Sequence, residues 1–253
     1  STQSVYHFSD TDKNISLLDI SETFGTYDGS FVLYDNNLDS WKIYDLEEAT
    51  KRIPPESTYK IYDALLGLES GIITPEHSSM TWNGDAFPFP SWEADQDLNS
   101  AMQNSVNWYF QAIDSQLGIN RVQEFLNKIE YGNQTTSSNL DLYWSDFSLK
   151  ISPLEQVTLL KKFNTNEFHL NFQNVFSVKN AIKIASTPNG NFYGKTGTGR
   201  VNGQDINGWF IGYVETSDNS YYFATNIQSD SNATGKKAFE ITSDILKKLH
   251  IWN

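Results

Sequence analysis

Ser57 and Lys60 stand three residues apart in Pro54-Pro55-Glu56-Ser57-Thr58-Tyr59-Lys60, the only Ser-x-x-Lys in a chain of 253 residues. On a helix that spacing sets both side chains on one face, about a hydrogen bond apart. The apolar run from Ile61 to Leu68 stops at Gly71, which suits a buried helix with a glycine end. The two prolines suit a turn that delivers the chain to the first helical residues. Ser57 would then sit where backbone N–H groups point outward and favour developing negative charge. A nucleophilic hydroxyl, a neighbouring amine and oriented donors are the parts of an acyl-transfer site. Lys60 is flanked by Tyr59, Ile61 and Tyr62 rather than by charges, which points to a dry setting for its amine.

Three further motifs follow in order. Ser105-Val106-Asn107 falls inside a predicted helix, Tyr131-Gly132-Asn133 at a helix–loop boundary, and Lys195-Thr196-Gly197 on a predicted strand. Singly, each has an ordinary reading as a helix serine, a turn and a strand end. Four motifs in this order are far more specific than any one of them. Serine, lysine, serine and lysine in one pocket is the pattern of active-site-serine penicilloyl chemistry.

The elements that must position these residues are legible in outline. Residues 29–34 read as a strand, Asp35-Asn36-Asn37 as a turn and residues 41–44 as the returning strand. Residues 15–20 suggest a short first element. Residues 72–97 are irregular and hold Trp82, Phe87, Phe89 and Trp92; such a loop usually packs over a site. Helical periodicity runs unbroken over 97–117 and again over 119–129. Ser152-Pro153-Leu154-Glu155 is a capping box with proline at the first helical position. A further helix is predicted over 174–186, then strands near 192–196, 208–214 and 221–227, and an amphipathic helix over 234–249. Strands thus flank a helical middle. The expected fold is α+β, with two lobes in a single domain over 1–253. An antiparallel sheet drawn from both chain ends (about 1–56 and 188–253) carries an inserted helical lobe (about 57–187).

Composition narrows the partners. A 38% hydrophobic and 14% aromatic chain of this length can bury a large core. The net charge of −13 is spread along the chain. Such a surface repels phosphates, which excludes nucleic acid as a natural partner. There is no cysteine, so disulfides, thiol catalysis and cysteine-ligated metal are excluded. His7, His77, His169 and His250 are scattered without metal-ligand spacing, and no metal is expected. No apolar run reaches the length of a membrane span, and no signal peptide begins the chain.

The sequence resembles the penicillin-recognising serine proteins, and among them the class D β-lactamases. Ser57-Thr58-Tyr59-Lys60, Ser105-Val106-Asn107, Tyr131-Gly132-Asn133 and Lys195-Thr196-Gly197-Thr198-Gly199 match their four motifs, and residues 143–153 match the class D segment that carries a tryptophan. The likeness covers about residues 28–249. It is closer still to the extracellular sensor domains of BlaR/MecR-type transmembrane receptors, on Ser105-Val106-Asn107-Trp108 and the surrounding helix. The missing signal peptide and membrane segment are those expected of an excised domain.

That resemblance implies a β-lactam antibiotic sensor, with a class D β-lactamase as the alternative. A penicillin-inhibited transpeptidase and a non-covalent binding module are more distant readings. It implies that Ser57 attacks the lactam carbonyl and that Lys60, as free amine or as a carbamate formed with carbon dioxide, takes its proton. Ser105 would relay the proton toward the lactam nitrogen, and Trp144 would donate to the carbamate. Lys195, Thr196 and Thr198 would hold the antibiotic carboxylate, and the backbone N–H groups of Ser57 and Thr198 would form the oxyanion hole. The implied partners are β-lactams and the transmembrane and cytoplasmic parts of a parent receptor, with this domain on the outer face of the membrane. Two departures stand out. Asn107 replaces a valine usual in class D enzymes, and the late arginine that often binds the substrate carboxylate is missing, leaving Arg200 as the only arginine after Lys195. The amide of Asn107 is expected to compete with a carbamate and so to prolong the acyl-protein.

Overall fold

The computed structural model describes residues 14–137 and 139–253; His7, among the scattered histidines, lies outside the described residues. Seven strands form one sheet: β1 (Ile15–Leu17), β2 (Asp28–Asp35), β3 (Ser40–Tyr44), β4 (Lys183–Thr187), β5 (Gly190–Val201), β6 (Gln204–Glu215) and β7 (Ser220–Gln228). Their order is β1-β3-β2-β7-β6-β5-β4. The early and late strands meet where β2 pairs antiparallel with β7, Phe31 opposite Thr225. The expectation of a sheet drawn from both ends of the chain is met. Among the described residues only the β1–β3 pair is parallel.

Along β6 neighbouring side chains point to opposite faces, and both faces are buried. Trp209, Ile211 and Tyr213 enter the larger core, toward the helices, whereas Phe210 and Val214 enter a second core. Burial on both sides explains why residues 208–214 read as a continuous apolar run rather than an alternation. The second core is closed by helix α9 (Gly235–Lys248) through Ala238, Ile241 and Ile245, and by Phe24 of α1 (Ser21–Phe24).

A short helix α2 (Leu46–Ala49) follows β3. The helical middle then runs through α3 (Lys60–Glu69), α4 (Leu98–Gln103), α5 (Asn107–Leu117), α6 (Ile119–Lys128), α7 (Pro153–Asn164) and α8 (Phe172–Ala181). Helix α7 begins at the capping box read from the sequence: the Glu155 N–H donates to Ser152 Oγ at 3.1 Å, and the Ser152 N–H donates to Glu155 Oε1 at 3.1 Å. Arg52 clamps the same carboxylate from a buried position at 3.0 and 2.9 Å, a bidentate geometry that fixes both partners.

Two expectations fail, each for a physical reason. The helix predicted over 97–117 is broken at Asn104-Ser105-Val106, with Ser105 left-handed at φ 53° and Val106 extended. Asn and Ser bond readily to nearby backbone and tolerate such a break. The apolar face continues across it through Ala101, Val106 and Tyr109, all buried, so periodicity alone runs on. The helix predicted over 174–186 ends at Ala181. The Ile182 carbonyl accepts instead from the Gly194 N–H at 2.9 Å, and residues 183–187 join the sheet as edge strand β4. The Pro188-Asn189 turn that follows, closed by Thr187 opposite Gly190, returns the chain into β5. The sheet therefore takes up the chain from 183 rather than 188.

Candidate active site

Ser57 lies in a 3-10 turn, Glu56–Tyr59, that runs directly into α3. Three bonds hold the entry to this turn. Trp209 Nε1 and Asn207 Nδ2 donate to the Pro54 carbonyl at 2.8 and 3.0 Å, and the Glu56 N–H donates to the Trp144 carbonyl at 2.8 Å. Thr58 Oγ1 donates to the Pro55 carbonyl at 2.6 Å and accepts from Gln156 Nε2 at 2.9 Å. Strand β5 runs alongside so closely that a Cβ at Gly197 would stand 3.1 Å from the Ser57 nitrogen. Glycine serves the approach there, where a Cβ would crowd the turn, and is not called for by its dihedral angles.

The i, i+3 spacing delivers what the sequence suggests: Lys60 Nζ is 3.0 Å from Ser57 Oγ. It is also 2.8 Å from Ser105 Oγ, 2.9 Å from the Ser105 carbonyl and 2.6 Å from Asn107 Oδ1. The helix break turns the Ser105 carbonyl toward the amine. Two of these four neighbours are carbonyl oxygens, which can only accept. A neutral amine has two N–H groups for them and one lone pair left for a hydroxyl. Lys60 is fully buried over the Phe110 ring, 5.6 Å from its centroid. Burial, then the Lys195 charge, pushes its pKa well below the usual lysine value. Burial thus favours the unprotonated amine, which is aimed at a serine hydroxyl, an arrangement able to draw a proton from Ser57.

Lys195, on β5, donates to Ser105 Oγ at 3.1 Å and to the Thr196 carbonyl at 2.9 Å. Its pKa is lowered to about 7 by burial. Ser105 Oγ therefore touches both lysines. A cleft of about 420 Å³ opens over Ser57, Ser105 and Asn107, walled by Thr196, Thr198 and Arg200 of β5 and by Phe89 and Trp92 of the irregular 72–97 loop. That aromatic loop does pack over the site. Thr198 Oγ1 accepts from the Gly235 N–H at 2.9 Å, which ties β5 to the start of α9.

Other sequence candidates are placed differently. Trp144 is 2% exposed, packed on Tyr59 with ring centroids 6.1 Å apart, and its neighbour Ser145, not Trp144 itself, lines the cleft. Tyr131-Gly132-Asn133 braces the site from outside the cleft. Asn133 Nδ2 donates to the Ser148 carbonyl at 2.8 Å, its Oδ1 accepts from the Lys150 N–H at 2.9 Å, and Tyr131 packs edge-on against Tyr59. Gly132 is required because at φ 49° a Cβ would stand 1.9 Å from the Lys150 carbonyl oxygen.

Glu56 escaped the sequence reading although it precedes Ser57. Its carboxyl accepts from Ser145 Oγ at 2.8 Å and from Asn207 Nδ2 at 3.3 Å. Burial outweighs these bonds and raises its pKa to about 7. A charged residue inside a run destined for burial was the available signal.

A family profile described as the penicillin binding protein transpeptidase domain matches residues 29–247. The chain belongs to this family. Within it the chain is class D β-lactamase-like and has close homologues among penicillin receptors. It is 46% identical to regulatory protein BlaR1 of Bacillus licheniformis, over 94% of this chain and 40% of that protein. The chain thus spans about two fifths of the length of that curated relative. The solved C-terminal domain of the Bacillus licheniformis BlaR penicillin-receptor superposes with a TM-score of 0.91 at 46% identity, covering 95% of this chain and 98% of the other. Class D β-lactamase BAT-2 superposes with a TM-score of 0.87 at 36% identity, covering 93% and 97%. Seven strands with the site at their helical face therefore reproduce the serine β-lactamase and penicillin-binding-protein fold.

Proposed function

We propose that this chain is the sensing domain of a β-lactam receptor: a penicillin or cephalosporin acylates Ser57, and the acyl-protein persists. One observation carries the persistence, the 2.6 Å bond from Lys60 Nζ to Asn107 Oδ1. Lys60 takes the Ser57 proton while Ser57 Oγ attacks the lactam carbonyl carbon. The resulting oxyanion is held by the Ser57 and Thr198 N–H groups. Collapse breaks the lactam C–N bond, and Ser105 Oγ, touching both lysines, passes a proton to the leaving nitrogen. Lys195, Thr196 and Thr198 hold the antibiotic carboxylate, with Arg200 on the same wall of the cleft.

Hydrolysis needs a second base strong enough to activate water. A Lys60 carbamate would supply one, and burial favours the unprotonated amine it requires. The shell around Nζ does not fit it as arranged: two of four neighbours are carbonyl oxygens, which would face the carbamate oxygens as like dipoles. Asn107 must turn its amide before a carbamate can stay, so we assign the acylation step to the free amine. Asn107→Val removes that competitor. The expected result is a carbamate signal that persists in 13C-bicarbonate and an acyl-protein lifetime shortened about tenfold, the rate equivalent of one hydrogen bond. An unchanged lifetime would remove Asn107 from the account.

Among the described residues no helix is long and apolar enough to cross a membrane. By likeness to the receptors we place the domain outside the cell, joined to transmembrane and cytoplasmic portions of a longer protein. Intact mass against time, with a small excess of benzylpenicillin, tests the reading. One added antibiotic that persists for hours and is absent in Ser57→Ala supports the sensor. An adduct that decays within seconds while drug is consumed means a class D hydrolase instead. No adduct in either form means a non-covalent module.

A further inference from the structure

Asp63 of α3 and Asp114 of α5 are fully buried, and none of their four carboxyl oxygens receives an aligned hydrogen bond from an N–H or O–H group. The two carboxyls lie within hydrogen-bonding reach of one another. The Tyr143 hydroxyl also lies against Asp114, but its aligned bond goes to Tyr59 Oη at 3.1 Å. Glycine makes the encounter possible: α3 and α5 approach so closely at Gly67 that a Cβ there would stand 2.9 Å from Ile113 Cδ1. Asp63 is three residues beyond Lys60 and Asp114 seven beyond Asn107, so both sit behind the residues that surround the Lys60 amine.

Two carboxylates facing each other in a sealed site cannot both be ionised, and two without outside donors are held together by a proton between them. We propose that Asp63 and Asp114 are a proton-sharing pair whose single negative charge offsets the desolvation of the Lys60 amine and sets the pH above which Lys60 can take the Ser57 proton. The pair holds Lys60 by charge and never touches substrate; both members are positioning residues. Burial first, then the facing carboxyl, pushes Asp63 well above the carboxylate range, and Asp63 in turn works against the lowering of Lys60. Three other titratable groups among the described residues face the pair or Lys60. Tyr59 and Tyr143 are pushed well above the usual phenol value and stay neutral. Lys195 on β5 is a cation that lowers Lys60, and the Ser105 and Asn107 groups are uncharged. The pair is thus the one counter-charge to Lys60 within this set.

The inference rests on reading Lys60 as the base for Ser57, and the test separates the two. In protein labelled with 13Cε-lysine, the Lys60 resonance (identified by its loss in Lys60→Met) reports the amine's titration without any antibiotic. A single Asp114→Asn leaves one carboxylate, with the new amide donating to it, and the Lys60 midpoint should hold. Asp63→Asn with Asp114→Asn removes the charge, and the midpoint should fall by about one pH unit. The acid limb of benzylpenicillin acylation should move by the same amount. A midpoint that is the same in wild type and double variant overturns the pair's role whatever the acylation does. Absent acylation in wild type sinks the reading of Ser57 and leaves the resonance to decide the pair. Should the double variant fail to fold, 13Cγ-aspartate labelling of the wild type decides: one protonated carboxyl of the two at pH 7.5 is expected, and two ionised ones overturn the proposal.

Discussion

Lys60→Met should slow the acylation of Ser57 by benzylpenicillin by about 10³-fold, the share a positioned general base supplies. Methionine keeps a long apolar stem over Phe110 and removes only the amine. Ser57 then loses its amine partner, and Ser105 Oγ, the other hydroxyl on that amine, itself depends on the two lysines. The pH profile of the wild type follows from the same two amines. Acylation rises with pH as Lys60 loses its proton, and it does so well below the ordinary lysine range because burial lowers the group. It falls again above about 7, where Lys195 of the free protein gives up the charge that holds the antibiotic carboxylate. Stopped-flow or quenched mass measurement of the second-order rate checks both statements. A Lys60→Met variant within tenfold of wild type would show that another group is the base.

Local chemistry was legible in the sequence where spacing alone fixes geometry. Ser57 and Lys60 are neighbours because a helical turn makes them so, and the 3.0 Å contact needs no distant partner. The capping box at Ser152 and Glu155 is legible for the same reason. Ser105 is the opposite case. Its left-handed backbone makes the carbonyl available to Lys60, yet serine carries no signal for that conformation as glycine does, and the apolar face is continuous across the break. The end of α8 was hidden likewise, since Ile182 is drawn out of the helix by the Gly194 N–H across the sheet. Long-range pairs were beyond reach altogether. Glu56 meets Ser145 and Asn207 only after the strands and the 143–153 segment have assembled, and Asp63 meets Asp114 only because Gly67 lets two helices close. Asn107 was legible as an unusual residue in a known motif, but its hold on Lys60 became a distance only in the fold.

Glu56→Gln should stabilise the protein at alkaline pH and leave it unchanged in acid. The carboxyl is raised from 4.5 to about 7 by burial. Its folded value therefore lies above its unfolded one, so its contribution is whole below about pH 4 and is lost as pH climbs to about 7. The difference is worth about 3 kcal/mol once both limits are passed. Glutamine keeps the shape and can still meet Ser145 and Asn207, since a serine hydroxyl both donates and accepts. Urea unfolding of both proteins at pH 4.5 and pH 8.5 reads the effect directly; parallel stability at the two pH values would show that the carboxyl is not buried as an acid. Glu56 also carries a left-handed backbone, φ 53° without being glycine, a conformation that costs free energy by itself. Strain and a buried acid thus fall on the residue next to the nucleophile. The same side chain wedges the Ser57 turn against β5, where a Cβ at Gly199 would stand 2.4 Å from Glu56 Oε1. Stability lost at Glu56 is offset by a fixed gap between the Ser57 turn and the strand that carries Thr198, and in that gap the oxyanion would form. Glutamine at 56 should therefore keep fast acylation while it gains stability, whereas Glu56→Ala, which loses the wedge, should lose acylation rate.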